Sequence, residues 1–359
     1  MIDAGLCGKS VSGEDVTITL RKEIEVQWRS TLTNGLTARE SRRAKGRGLD
    51  FELVFALSSL AYSYTLQARS SLLVLYGSVT PEVEQRAKIV QNATKSLLIA
   101  ASIHAYISAR TLEVDAFQGV VETLSQTQSA LASLARAEAT LLAVLKDDPH
   151  PFVVAQQRNK HDKDWMIKAP EIPKVRAHLF ARLCLAAVEH ASTAEAGLSA
   201  TGRVDKDLMH YVKDLRRTAR AKACRLFGID AELGSETGKA IAWLQAARQE
   251  LGFSSDKGSS GSSIGLGKLK QDWMERREDK KIERSSEWGS DAGRLEELRV
   301  VDYLETKWTK MNDTVRESPT RPSPAKSDIA IDQHAIDTTP RTPRSNHAFR
   351  ARYPFHPNI

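Results

Sequence analysis

The chain has 359 residues, of which 27% are charged, and its formal net charge is +7. This length is sufficient to bury a large core, either in one elongated domain or in two compact ones. The modest positive charge favours an acidic partner or an anionic membrane surface, but no aromatic and basic cluster of the RNA-binding kind accompanies it, so nucleic acid is not predicted as a partner.

The three cysteines, Cys7, Cys184 and Cys224, are far apart in the sequence and form neither a C-x-x-C pair nor a cluster with zinc-binding spacing. Two of them lie on apolar helix faces, where a buried reduced thiol is expected, and this predicts a cytosolic protein. The N-terminal "MIDAGLCGKS" does not have the pattern of a signal peptide. The most hydrophobic run, residues 53–68, is shorter than the roughly 20 residues of a membrane span and is predicted to be a buried core helix.

The first predicted element is a strand or hairpin at residues 16–28, "VTITLRKEIEVQW", where β-branched and polar side chains alternate. A polar loop that is marked by glycines, "NGLTARESRRAKGRG", follows it. After this loop the chain is predicted to be almost entirely helical. The first helix spans about residues 49–76, and the second begins after "GSVTPEV", with Thr80 as its N-cap and Pro81 in its first turn.

The second to fourth helices are predicted from apolar residues that recur every three or four positions. The second carries Val83, Ala87, Val90, Leu97 and Ala101, and the third, from about residue 118 to 145, carries Val120, Leu124, Leu131, Leu134, Leu141 and Leu145. The segment "QQRNKHDKDWMIKAPEIP" is predicted to be an irregular, charged connection. The fourth helix follows it and carries Val175, Leu179, Leu183, Ala186 and His190.

The remaining helices are predicted in the same way. The fifth, residues 206–227, carries Leu208, Val212, Leu215 and Ala219, and the sixth, residues 237–253, carries Ala240, Leu244, Ala247 and Leu251. A flexible Gly/Ser loop at 254–265 and a highly charged helix then precede a final amphipathic helix, which carries Leu295, Leu298, Val301, Leu304, Trp308 and Met311.

These elements predict an irregular all-α structure with a small β element near its start, because no 34-residue self-similarity of a regular repeat array is visible. Three parts are expected. Residues 1–48 form a β-containing segment, residues 49–315 form a helical core, and residues 316–359, rich in Pro, Ser, Thr and Arg, form a disordered tail.

No catalytic or cofactor-binding pattern is present. "SSIGLGKL" has Ser262 and Leu269 at positions where a phosphate-binding loop needs glycine and a hydroxyl residue. His161 stands beside two aspartates in "HDKDW", but consecutive loop residues do not converge on one metal. His178 and His190 are expected to be structural. The sequence therefore predicts a protein that is not an enzyme and has neither a cofactor nor a metal.

The fourth helix offers two interpretations. It has Leu179, Phe180, Leu183 and Leu185 within two turns, about twice what a helix that packs on one side needs. Either both of its sides are buried, or Leu179 and Leu183, one turn apart, line a groove that accepts another amphipathic helix.

Several stretches together resemble Bro domains, the endosomal-sorting modules of the Alix family. The run "GLDFELVFALSSLAYSYTLQARSSL" is similar to the core helix of that domain, and "KVRAHLFARLCLAAVEHA" follows in the expected order. Residues 238–247 are similar to its G-x-A-I-x-x-L-x-x-A element, and "KWTKMNDTV" is similar to its closing W-x-x-x-N-D-T piece. Longer stretches, such as "GIDAELGSETGKAIAWL", resemble the fungal pH-response regulators that carry this domain.

The resemblance implies a curved Bro-domain solenoid with a tetratricopeptide-like core. It also implies a scaffold in ambient-alkaline-pH signalling, located in the cytoplasm and recruited to the cell cortex or to endosomal membranes. Such a scaffold recruits the core filament subunit of ESCRT-III, and the signalling protease complex assembles there to activate a zinc-finger transcription factor by proteolysis.

The resemblance also implies a binding site. In Bro domains the C-terminal helix of the filament subunit binds an apolar groove, and aligning the A-K/R-L turn of that groove places two contacts on Leu179 and Leu183. A third contact, aromatic in some relatives, falls on Thr140 and Leu141, where Thr140 lacks the aromatic ring.

Both ends of the chain differ from the family pattern, since relatives have further N-terminal helices and a different segment after Thr314. A truncated chain is therefore expected. The alternative function is a basic membrane-surface protein that binds anionic lipid directly, without an ESCRT-III groove. Salt would weaken that lipid binding steeply, whereas an apolar helix-in-groove contact would persist.

Overall fold

The computed structural model describes residues 24–33, 43–76, 81–111, 120–158, 174–202, 204–253 and 288–316, together with a few single positions outside these ranges. All of these residues belong to one compact unit, Met1–Ser318. Cys7, Thr80, His161, the Gly/Ser loop at 254–265 and the tail after residue 316 lie outside the described residues. So does nearly all of the predicted charged helix.

The chain begins with a two-stranded antiparallel sheet, in which β1 (Glu25–Arg29) pairs with β2 (Arg43–Arg47). Trp28 lies on the inner side of β1, with its ring centroid 4.3 Å from that of Phe51 and 4.1 Å from that of Phe55. On β2 the inner position is Gly46, because any Cβ there would lie 2.1 Å from the Phe51 ring. The prediction of a loop was therefore wrong at β2, whose polar residues lie on the outer side of the sheet.

Eight helices follow in the described part of the chain. They are α1 (Leu49–Leu73), α2 (Val83–Thr111), α3 (Ser125–Asp147), α4 (His150–Arg158), α5 (Lys174–Thr201), α6 (Lys206–Leu233), α7 (Thr237–Glu250) and α8 (Arg294–Arg316), with short 3₁₀ turns at Val74–Tyr76 and Val121–Thr123. This confirms the all-α prediction with a small β element. Helix α4 was missed, because its nine residues are too short and too polar to show a clear apolar period.

Helices α1, α2, α3, α5, α6 and α7 pack side by side in chain order, and α8 packs against α4, α6 and α7. Neighbours in this row are antiparallel. The end of α2 meets the start of α1 through Arg110 and Asp50, whose atoms are 2.5 Å apart, and the start of α3 through Ser108 and Ser125.

The inner side of α5 is lined by small residues, which let α3 and α6 approach closely. It buries Ala177, Ala181, Cys184, Ala187, Ala191 and Ala194, together with Phe180 and Leu198. A Cβ at Gly197 would lie only 2.9 Å from Ala130 Cβ on α3. The predicted face of α7 is confirmed, since Ala240, Leu244, Ala247 and Leu251 are all fully buried.

Three predictions about the helices were wrong in part. Val83 at the start of α2 is 72% exposed and Met311 near the end of α8 is 44% exposed, because both lie in end turns beyond the packed neighbours. Helix α3 begins at Ser125 rather than near residue 118, after the 3₁₀ turn that places Glu122 inside the protein. There the Glu122 carboxylate accepts hydrogen bonds from the backbone N–H groups of Thr31 at 2.6 Å and Leu32 at 2.9 Å.

Candidate functional site

The predicted contact residues on α5 lie away from its alanine-lined side. Leu179 is 52% exposed, and Leu183, one turn later, is partly buried against the core. Cys184 lies on the inner side of α5, close enough to the buried charges of Asp148, Arg225 and Glu297 that they influence the pKa of its thiol. The interpretation that both sides of α5 are fully buried is therefore wrong at Leu179, whose apolar side chain is exposed to solvent.

On α3 the two predicted positions have different environments. Leu141 is only 8% exposed and packs in the main core, so its side chain is not available to a partner, and the prediction of a contact there was wrong. Thr140 lies at the surface, and its hydroxyl donates a hydrogen bond of 2.8 Å to the backbone oxygen of Arg136. One residue along a helix rotates the side chain by roughly 100°, which separates the two positions.

Thr140 and Leu183 belong to adjacent strips on antiparallel helices. The Arg136 guanidinium is close enough to His190 to lower the pKa of that imidazole, in addition to the lowering by burial. This proximity sets the register between α3 and α5. Ala143 lies two turns after Arg136 and Leu183 two turns before His190, so antiparallel packing brings Ala143 level with Leu183. Thr140 and Leu179 lie about one turn from that level in opposite directions.

Ala143 of the strip on α3 also lines an open groove of about 740 Å³. This groove lies between α2 and α3, on the side of the strip that faces away from α5. Its lining includes Lys95, Leu98, Ile99, Ala143 and Lys146. Leu98 is 50% exposed although its neighbour Leu97 is buried. The sequence analysis placed Leu97 on the apolar face of this helix and overlooked Leu98. Two consecutive leucines on a helix cannot both face the same side, so the pair already indicated that one of them is exposed.

The surroundings of these strips are basic. Four exposed cations surround them, Lys95, Arg136, Lys146 and Arg182, compared with two exposed carboxylates, Asp147 and Glu189. Apolar side chains with a net positive rim are suited to an amphipathic helix that has acidic flanks. This arrangement can bind a helix, but none of its side chains forms a nucleophile and base pair.

The buried cysteines also lack the properties of nucleophiles. Burial raises the pKa of both the Cys184 and the Cys224 thiol to about 12, so neither forms a thiolate near neutral pH. Within the described ranges, no group of three or more His, Cys, Asp and Glu side chains is placed to hold a metal ion. Nor does any described helix have the length and hydrophobicity needed to span a membrane.

Comparison with known proteins identifies a relative by sequence. The chain is 45% identical over 327 residues to the pH-response regulator protein palC of Emericella nidulans, an alignment that covers 84% of this chain. The chain spans 64% of the length of that relative. No protein-family model matches the chain.

Two solved structures share the fold. The ALIX BRO1 CHMP4C complex superposes with a TM-score of 0.51 at 14% identity, over 86% of this chain and 73% of that one. ALIX in complex with the SIVmac239 PYKEVTEDL late domain gives 0.50 at 14% identity, over 86% of this chain and 37% of that one. At this identity the likeness concerns the fold alone, and it confirms the predicted Bro-domain architecture. The chain is thus a sequence relative of the fungal pH-response regulator palC, and its described part has the fold of the ALIX BRO1 domain.

Proposed function

We propose that this chain is a non-enzymatic scaffold of alkaline-pH signalling that binds the C-terminal helix of the ESCRT-III core filament subunit across α3 and α5. The observation that carries the proposal is the half-exposed Leu179 beside Leu183, within a basic rim. Two comparisons support it. The relative palC is a pH-response regulator, and the ALIX BRO1 structure is a complex with CHMP4C.

In this proposal the scaffold acts in the cytoplasm and at the cell cortex or endosomal membrane. The bound filament subunit brings the pH-signalling protease complex to the same place, where a zinc-finger transcription factor is activated by proteolysis. The chain contributes contact surface rather than chemistry. Accordingly, substitutions that preserve the fold but change the exposed strips are expected to separate binding from stability.

Leu179→Asp is expected to weaken binding of the filament-subunit helix at least tenfold, because a carboxylate would replace the apolar contact at the centre of the site. The measurement is fluorescence anisotropy of the labelled helix peptide at 50 and 300 mM NaCl. Wild-type binding should weaken only modestly between the two salt concentrations, since the central contact is apolar and salt screens only the basic rim. The exposure of Leu179 means that the variant should unfold at the same temperature as the wild type.

Leu66→Asp is the matched control, because Leu66 is 61% exposed on α1, outside both strips. Leu183→Asp is less informative, since Leu183 packs partly against the core and its replacement lowers stability as well. Equal binding by the wild type and Leu179→Asp would contradict the proposed site. Absence of binding by a wild type that melts cooperatively would contradict the scaffold function and favour the alternative of a membrane-surface protein without the groove.

Thr140→Phe is expected to tighten binding of the same peptide about three- to tenfold. The substitution adds the aromatic ring that some Bro domains carry at this place, at a side chain that is only partly buried. The control is Ser63→Phe at an exposed position of α1, outside both strips. Unchanged affinity in Thr140→Phe would place the partner helix away from α3.

A further inference from the structure

The outer side of the two-stranded sheet carries an array of cations. Alternate residues of each strand point to the same side, and the outer positions are exposed whereas Trp28 and Gly46 are buried. The outer residues are Glu25, Gln27 and Arg29 on β1 and Arg43, Lys45 and Arg47 on β2. Arg43, Lys45 and Arg47 of β2 thus lie on the same side of the sheet as Glu25.

Among the outer residues of the two strands, Glu25 does not neutralise the three cations of β2. Glu25 lies 3.8 Å from Lys45 Nζ and 4.0 Å from the Arg47 guanidinium, so one charge is shared between two. The side chains of Lys45 and Arg47 remain 67% and 70% exposed. These cations are therefore accessible to an anionic ligand.

The sheet is held rigidly in spite of its small size. Trp28 on its inner side packs against Phe51 and Phe55 of α1, and the chain after β1 is fixed by the Glu122 carboxylate through Thr31 and Leu32. The cations are thus displayed on a fixed platform, so a ligand that binds them does not have to order the backbone.

We propose that the outer side of this sheet docks onto an anionic lipid bilayer. The six outer side chains are all polar, so the array lacks the apolar strip that a partner helix requires. A shallow array of exposed cations is suited instead to a plane of anionic headgroups, which needs no pocket.

This inference is independent of the proposed helix-binding site, because the sheet and the strips on α3 and α5 involve different residues. The test uses the full chain and sedimentation with vesicles of pure phosphatidylcholine or of phosphatidylcholine with 30% phosphatidylserine. Wild-type protein should sediment with the anionic vesicles in 50 mM NaCl, and this binding should weaken at 300 mM NaCl. Pure phosphatidylcholine vesicles should not bind it.

The variant Arg43→Glu/Lys45→Glu is expected to weaken binding to the anionic vesicles at least about 25-fold, since each Lys or Arg near such a surface contributes a factor of about five. The matched control is Lys88→Glu/Lys307→Glu, which changes the net charge equally at exposed positions of α2 and α8. It should bind within about threefold of the wild type. Thermal melts establish that both variants are folded.

The proposal would be overturned by absence of wild-type binding to the anionic vesicles or by binding that does not depend on phosphatidylserine. Full binding by folded Arg43→Glu/Lys45→Glu, or an equal loss in the Lys88 and Lys307 control, would also overturn it. Absence of vesicle binding, combined with salt-sensitive binding of poly-glutamate that the sheet variant loses, would overturn the lipid assignment and show that the array recognises an acidic protein. Helix-peptide binding measured in the same samples reports separately on the strips of α3 and α5.

Discussion

Arg225→Met is expected to destabilise the protein by about 3–5 kcal/mol at pH 7, because it leaves two carboxylates buried without their shared cation. The Arg225 guanidinium is fully buried, 2.6 Å from Asp148 at the end of α3 and 2.6 Å from Glu297 on α8. Lys222 Nζ adds a second contact of 2.5 Å to Glu297. Chemical denaturation with urea measures the free energy of unfolding directly.

The dependence of this loss on pH identifies its cause. Burial alone would raise the pKa of both carboxyls, but in the wild type Arg225 lowers the pKa of Asp148 and of Glu297 below the usual range. Their contribution is present above the unfolded pKa values of about 4 and is lost as the pH falls below them. In the variant, burial without Arg225 favours protonation of the carboxyls, so the destabilisation should shrink between pH 7 and pH 5.

Arg217→Met is the control, since Arg217 lies on the same helix but is exposed. It should change the free energy of unfolding by less than about 0.5 kcal/mol. A loss in Arg225→Met that stayed constant from pH 7 to pH 5 would indicate a packing defect instead of uncompensated charge.

Glu138 is expected to make the wild type lose up to about 3 kcal/mol of stability as the pH rises from 4.5 to 7. Its carboxyl on α3 accepts a hydrogen bond of 2.5 Å from the Tyr211 hydroxyl on α6, and burial raises its pKa to about 7. Within this pH range the folded protein keeps a proton that the unfolded chain releases. Stability is therefore highest below the unfolded pKa and is lost as the pH rises through the folded one.

Glu138→Gln removes this titration and keeps an oxygen that accepts the hydrogen bond from Tyr211. The variant should therefore exceed the wild type in stability at pH 8 and match it near pH 5. The difference between the two proteins isolates Glu138 from His104, whose lowered pKa acts in the opposite direction. Glu84→Gln on the exposed first turn of α2 is the control. Parallel stability curves for the wild type and Glu138→Gln would contradict this assignment.

The fold was largely predictable because its long helices have regular apolar periods. The stripe of Ala240, Leu244 and Ala247 in α7 is buried as the spacing requires. Helix α4 and strand β2 were not predictable in this way. Strand β2, "RAKGR", has only Ala44 and Gly46 on its inner side, and small residues leave no period-2 hydrophobic signal.

The candidate site was predictable only in part. The resemblance placed Leu179 and Leu183 on a possible groove, and the structure places Leu179 at the surface with Thr140 on the adjacent helix. Which member of the pair Thr140 and Leu141 faces solvent depends on the rotation of α3, which is set by neighbours far away in sequence. The same limit applies to Leu98, because a sequence does not show which of two adjacent leucines faces the core.

The buried contacts of α8 also bear on the order in which the protein assembles. Arg225 and Asp148 are 77 positions apart, whereas Glu297 is 72 positions beyond Arg225, so the ribosome delivers the last member of the triad long after the first two. Until α8 arrives, Arg225 has only one of its two carboxylate partners, Asp148, and Lys222 lacks its contact with Glu297. Docking of α8 supplies the Glu297 carboxylate to both cations. Helix α8 thus completes this buried charge cluster late in synthesis, and a chain that stalls before residue 297 lacks the second carboxylate of the triad.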